Sequence, residues 1–131
     1  MLTYLIDDDQ ISLYLAEQVL RLVDFTTDIR PFSNAEAALH DLLAQLPTQA
    51  PKVIFLDLNM PGMDGWEFLQ ALEPHVAVLQ NRCHIYILTS SLVLADTARA
   101  QDYPLVAGVL YKPLDGVEVE AIKALLRETK G

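Results

Sequence analysis

A chain of 131 residues, 52% apolar and 21% charged, suits a single globular domain; it excludes a disordered chain and leaves no room for two full-sized domains. A net charge of −9 argues against a bare nucleic-acid-binding module, which needs a basic face. The lone Cys83 excludes an internal disulfide, no run of about 18 apolar residues is present to span a membrane, and the start MLTYLIDDD lacks a signal peptide's basic region, so a cytoplasmic protein is the economical reading.

Five short apolar runs alternate with helical stretches. Residues 2–6 form the first run and end at Asp7. Residues 10–22 follow with a helical stripe of Ile11, Leu15, Val19 and Leu22. Residues 25–30 alternate in polarity, which predicts a strand at the sheet edge. The next helix spans 34–46, and Ser33 with Glu36 makes a capping-box pattern at its start. Residues 53–56 are continuously apolar and stop at Asp57. A helix over 65–72 carries Trp66, Leu69 and Leu72, with Asp64 as its cap; Pro74 ends or bends it, and a further turn fits residues 76–80. A fourth strand, 84–88, stops at Thr89, and a helix is expected near 93–101. The fifth strand, 106–111, stops at Lys112. The last helix, 115–128, turns Val119, Ile122 and Leu126 inward and leaves about three residues, too few for an effector domain within 1–131.

Strict alternation of strands and helices predicts a doubly wound α/β fold, with a five-stranded parallel sheet flanked by five helices. Ligands of such sheets bind outside the carboxyl ends of the strands. Those ends carry Asp7-Asp8-Asp9, Asp57, Thr89-Ser90-Ser91 and Lys112-Pro113, so the fold gathers carboxylates, hydroxyls and an ammonium on one rim. Carboxylates crowded in this way repel one another, and at least one should titrate above the usual value of about 4.

With Leu5-Ile6-Asp7-Asp8-Asp9, the run from Leu56 through Asp57, Asn59, Pro61 and Gly62 to Asp64-Gly65, Leu88-Thr89-Ser90-Ser91 and Tyr111-Lys112-Pro113, the chain resembles the receiver domains of two-component response regulators over essentially its whole length. The resemblance implies the flavodoxin-like strand order 2-1-3-4-5. It also implies a signalling switch whose Asp57 accepts a phosphoryl group from a histidine kinase or phosphotransfer protein, and which is not a turnover enzyme. Asp7, Asp8, Asp57 and the backbone carbonyl of Asn59 would hold Mg²⁺; the same hard oxygens suit Mn²⁺. Thr89 and Lys112 would meet the phosphoryl oxygens, and Lys112-Pro113 resembles the family's cis-proline junction. The implied output is a changed surface on the last two helices and the fifth strand, facing a downstream protein or a second copy, with no direct nucleic-acid contact.

Other residues take plainer readings. Asp9 caps the first helix, although a one-residue shift would make Asp8 and Asp9 the metal pair. His40, His75 and His84 are scattered, Cys83 is inert and partly buried, and Trp66 packs helix against sheet. Where an inward-swinging Tyr or Phe is common in the family, Val109 stands, which leaves any relay to Thr89 and its loop. Ser90 is larger than the usual Ala or Gly, and Asn59 and Ser91 are small and uncharged at positions that tune hydrolysis. Two other readings compete: a phosphorylation-independent interaction domain, and an aspartate-nucleophile phosphohydrolase. The latter expects a second acid where Asn59 stands.

Overall fold

The computed structural model describes residues 1–90 and 94–128. Strands β1 (Thr3–Ile6), β2 (Ile29–Phe32), β3 (Val53–Asp57), β4 (His84–Thr89) and β5 (Val106–Tyr111) form one sheet in the order β2-β1-β3-β4-β5, with every neighbouring pair parallel. The connections carry α1 (Gln10–Leu22), α2 (Ala35–Gln45), α3 (Gly65–Ala71), α4 (Val76–Leu79) and α5 (Leu94–Ala100), and α6 (Gly116–Glu128) follows β5. The helix count is six because the turn after Pro74 becomes the separate α4, beyond a single 3₁₀ turn at Glu73–His75. Ser91 and the expected helix start at residue 93 lie outside the described residues.

Successive side chains of a strand point to opposite faces, so strands covered on both sides must be apolar throughout. Tyr4, Ile6, Ile54, Leu56, Ile85 and Ile87 enter one layer with Leu42 of α2 and Phe68 and Leu69 of α3. Leu5, Val53, Phe55, Tyr86 and Leu88 enter the other with Leu13 and Leu20 of α1 and Val119, Ile122 and Leu126 of α6. Each such fully buried side chain contributes roughly 1.5–3 kcal/mol, which fixes strand register and, through it, the positions of the strand-end residues.

Three local expectations are corrected. The second strand starts four residues later than expected and ends two later, at Ile29–Phe32, though it is an edge strand and tolerates Pro31. Phe25 instead closes α1: its N–H donates to the Leu20 carbonyl (2.9 Å) and that of Asp24, at φ 54°, donates to Arg21 (3.1 Å). This is a Schellman end, in which an apolar residue just past the helix is buried for a helical reason rather than a strand one.

The α1 stripe is also inverted. Leu13, Ala16 and Leu20 face the sheet, while Ile11 (71%), Leu15 (49%) and Leu22 (83%) are exposed and, of the expected stripe, Val19 packs partly buried against the core. At 100° per residue these sets lie on opposite sides of the helix, and both are apolar, so periodicity alone had two solutions. Third, the α2 cap is Asn34, whose side chain accepts from the Ala37 N–H (2.8 Å), and not Ser33. Glu36 turns away from its own helix end and accepts from the Met63 N–H (3.3 Å).

Candidate functional site

Parallel register carries the functional side chains to one rim. Ile6 pairs with Leu56, so the next residues, Asp7 just past β1 and Asp57 at the end of β3, sit side by side. Thr89 pairs with Tyr111, and the Lys112 N–H donates to the Thr89 carbonyl (2.9 Å), which brings the β5 end to the same place. The Lys112 ammonium lies 2.7 Å from Asp7 Oδ2 and 3.5 Å from Asp57 Oδ1. The Lys112–Pro113 peptide is cis, as expected.

Asp7, Asp8 and Asp57 each place a carboxylate oxygen within 4.8 Å of the other two. That spacing of hard oxygen donors fits one divalent cation of the Mg²⁺ type, which keeps several waters and takes one or two protein carboxylates. Asp9 is not part of this set: it caps α1 by accepting from the Ile11 N–H (2.9 Å) and the Ser12 N–H (3.4 Å). The Asp9 N–H in turn donates to Asp7 Oδ1 (2.9 Å), and the Asn59 N–H to Asp57 Oδ1 (3.4 Å).

A family model for the response regulator receiver domain matches residues 3–124. The chain belongs to the response regulator receiver domain family. A two-component response regulator from Cytophaga hutchinsonii is similar at 28% identity, 96% coverage of both chains and a TM-score of 0.89. A response regulator receiver protein from Dyadobacter fermentans is similar at 27% identity and a TM-score of 0.83, over 97% of this chain and 95% of that one. Among curated proteins, hybrid signal transduction histidine kinase C of Dictyostelium discoideum is 32% identical over 92 residues. That stretch is 67% of this chain and only 7% of the kinase.

The electrostatics of this receiver domain follow from its geometry. Asp57 is only 6% exposed, and burial first, then the Asp7 charge, push its carboxyl up from 3.8 to about 6; Lys112 and the Asn59 N–H oppose the rise. One carboxylate of the set is thus raised, chiefly by burial and only secondly by the crowding expected from the sequence. Burial by itself would lower the Lys112 ammonium, but the hydrogen bond to Asp7 and the Asp57 charge outweigh it and hold the ammonium above its usual value. Thr89 is buried at the end of β4.

Two residues matter to this rim for reasons that spacing does not reveal. Glu36, reaching over from α2, is bonded to the loop between Asn59 and Asp64, and Gly62 (φ 76°) leaves its carboxylate room: a Cβ there would lie 3.2 Å from Glu36 Oε1. Gly65 is needed for close approach rather than for a positive φ. A Cβ on it would meet the Asp57 carbonyl oxygen at 2.7 Å and Leu58 Cα at 2.9 Å. Asp64 and Glu67 then start α3 with a reciprocal capping box. Gly65→Ala is therefore expected to cost about 1–3 kcal/mol, the usual penalty of overpacking against backbone, and to displace Asp57. Urea unfolding and Mg²⁺ titration check this; unchanged midpoint and affinity would contradict it.

Cys83 is fully rather than partly buried, which pushes its thiol up to about 12. Trp66 packs against the core, with its ring stacked on Tyr103 (5.8 Å) and the Arg99 guanidinium 4.4 Å from its centre. Val109 is half-buried against the same core layer, and Tyr111 is exposed. Among the described residues no helix is long and apolar enough to cross a membrane.

Proposed function

We propose that this receiver domain is a phosphorylation switch in which Asp57 attacks the phosphorus of a phosphohistidine carried by a histidine kinase or phosphotransfer protein. The observation that carries the reading is the meeting of Asp57 with Asp7, Asp8 and Lys112 at the carboxyl ends of the strands. An Asp57 oxygen forms the new P–O bond while the P–N bond breaks and the imidazole leaves. Such a transfer depends on positioning and charge neutralisation, and a bound Mg²⁺ supplies the latter at the phosphoryl oxygens. Asp7, Asp8, Asp57 and the Asn59 carbonyl would hold that ion. Lys112 shifts its compact charge from the carboxylates to the phosphoryl oxygens, and the Thr89 hydroxyl donates to one of them. The protein catalyses this self-modification and its slow reversal, and nothing more. Its altered face, on α5, β5 and α6, then engages a downstream protein or a second copy of the chain.

The donor must bring its phosphohistidine over Asp57, and the adjoining surface favours a particular approach. A cleft of about 310 Å³ beside the acids is bounded by Asp9, Ser12, Leu15, Pro113 and Leu114. Next to it, α1 exposes Ile11, Tyr14 and Leu15, an apolar group of the kind that marks docking surfaces. Tyr14→Glu is expected to slow transfer from a protein donor on the order of 10-fold, the effect of losing one central contact. Labelling by acetyl phosphate, which needs no docking, stays at the wild-type rate. Equal slowing of both reactions would place the defect in the site and reject α1 as the docking face; labelling from neither donor in the wild type would reject the function.

A further inference from the structure

With 18 acids to 9 lysines and arginines, three cations gathered on one cleft are unusual in this chain. Arg21 pairs with Glu17, Arg30 with Asp41, and Lys112 with Asp7 and Asp57. Arg82 donates to the Pro47 and Thr48 carbonyls, and Arg99 lies over Trp66. Among the described residues, Lys52, Lys123 and Arg127 have no acidic partner within 4.0 Å, and all three line one cleft of about 450 Å³. It opens at the amino-terminal end of the sheet, where Lys52 leads into β3. That is the end opposite Asp57, which lies five residues on from Lys52, about 17 Å away at roughly 3.3 Å per residue.

We infer that this cleft is a binding site for a small organic anion, with a carboxylate or phosphate head on a flat apolar body. Phe25 and Leu126, both buried, give it an apolar floor, and the cations form its rim. Lys52 is rooted in the sheet, since its N–H donates to the Leu2 carbonyl (2.9 Å) and its carbonyl accepts from His84 (2.9 Å). Lys123 spends one ammonium proton on the Val23 carbonyl (3.2 Å) and keeps two for a ligand. Asp24 and the carboxyl ends of α1 and α6 put negative charge nearby, but Asp24 counts for one unit and each helix end for about half. Three cations exceed that sum. The volume is within the range of small-molecule sites, roughly 300–1,000 Å³.

Phenylphosphonate, which transfers no phosphoryl group, is the probe, titrated without Mg²⁺ into ¹⁵N-labelled full-length chain. Saturable amide shifts are expected at Phe25, Lys52 and Lys123, with Asp7 and Asp57 unmoved. Inorganic phosphate, lacking the apolar body, and benzyl alcohol, lacking the charge, each bind more weakly. Lys52→Gln and Lys123→Gln each weaken binding about 5-fold or more, the worth of a charge-assisted hydrogen bond at a half-exposed site. Lys52→Gln leaves the Lys123–Val23 bond between the helices intact, so its loss of affinity is read on a folded protein. Shifts confined to the Asp57 rim, affinity unchanged in both variants, or phosphate binding as tightly as phenylphosphonate would overturn the inference. The test does not depend on the phosphorylation of Asp57.

Discussion

Replacing Asp57 with Asn is expected to stabilise the metal-free protein at pH 7 and to remove most of the stabilisation that Mg²⁺ gives the wild type. The Asp57 carboxyl titrates at about 6 in the fold against 3.8 ordinarily, because it is buried and faces the Asp7 charge. A carboxyl whose pKa is raised by folding binds its proton more tightly in the folded state than in the unfolded one. Its ionisation therefore costs stability in full above pH 6, and the cost fades as the pH falls from about 6 to about 4. At 1.36 kcal/mol per unit the shift bounds the cost near 3 kcal/mol, and solvent at the rim reduces it to about 1–2 kcal/mol. Wild type should thus become more stable relative to Asp57→Asn as the pH is lowered from 7 to 5. At pH 7, Mg²⁺ at 100 times its Kd should add about 2.7 kcal/mol to the wild type by linkage. Urea midpoints of both proteins at the two pH values, with and without millimolar Mg²⁺, decide the matter. A wild-type midpoint indifferent to Mg²⁺ would count against the metal centre, and a destabilised Asp57→Asn against the electrostatic account.

Removing the Lys112 ammonium is the second large perturbation. It lies 2.7 Å from the buried Asp7 carboxylate and 3.5 Å from that of Asp57, so Lys112→Met leaves two crowded anions without their cation. Stripping one partner from a buried pair costs several kcal/mol, and here, with the lysine partly solvated, about 2–3 kcal/mol is expected. While its partner carboxylates are ionised, the raised Lys112 pKa keeps this contribution in place up to the ordinary lysine value of 10.5; it is lost as the pH rises through the higher folded value. Labelling by acetyl phosphate should fall on the order of 100-fold, the effect of deleting one donor aimed at developing charge. Mg²⁺ should restore part of the lost stability, because it neutralises the same carboxylates, but not the rate. Full recovery of the rate by Mg²⁺ would mean that Lys112 serves only the fold. Lys112→Arg should recover stability better than rate, since its planar fork is not a point charge.

The sheet and its rim were legible because continuous apolar runs such as Val53–Leu56 have few folded uses, and each run ends abruptly on a polar residue. Once strand order is fixed, Asp7, Asp57, Thr89 and Lys112 have nowhere else to go. What could not be read depended on tertiary context. Both faces of α1 are apolar, one for the core and one exposed, so periodicity chose the wrong one. Phe25 has a strand-like sequence but is buried by a helix-ending turn. Glu36 has the spacing of a capping residue, yet its partner is the Met63 N–H, 27 positions away in sequence. Gly65 is constrained by the Asp57 carbonyl lying where a Cβ would go, a neighbour that the sequence around it does not reveal. In each case the neighbour that decides the role is distant in the chain.

The central claim, that Asp57 is the phosphoacceptor, is tested most directly by incubating wild type and Asp57→Ala with acetyl phosphate and Mg²⁺ and measuring intact mass and peptide mass. The wild type should gain one phosphoryl group on the peptide containing Asp57, only when Mg²⁺ is present, and Asp57→Ala should gain none. Equal labelling of the two proteins, or a phosphoryl group on any other peptide of the wild type, would contradict it.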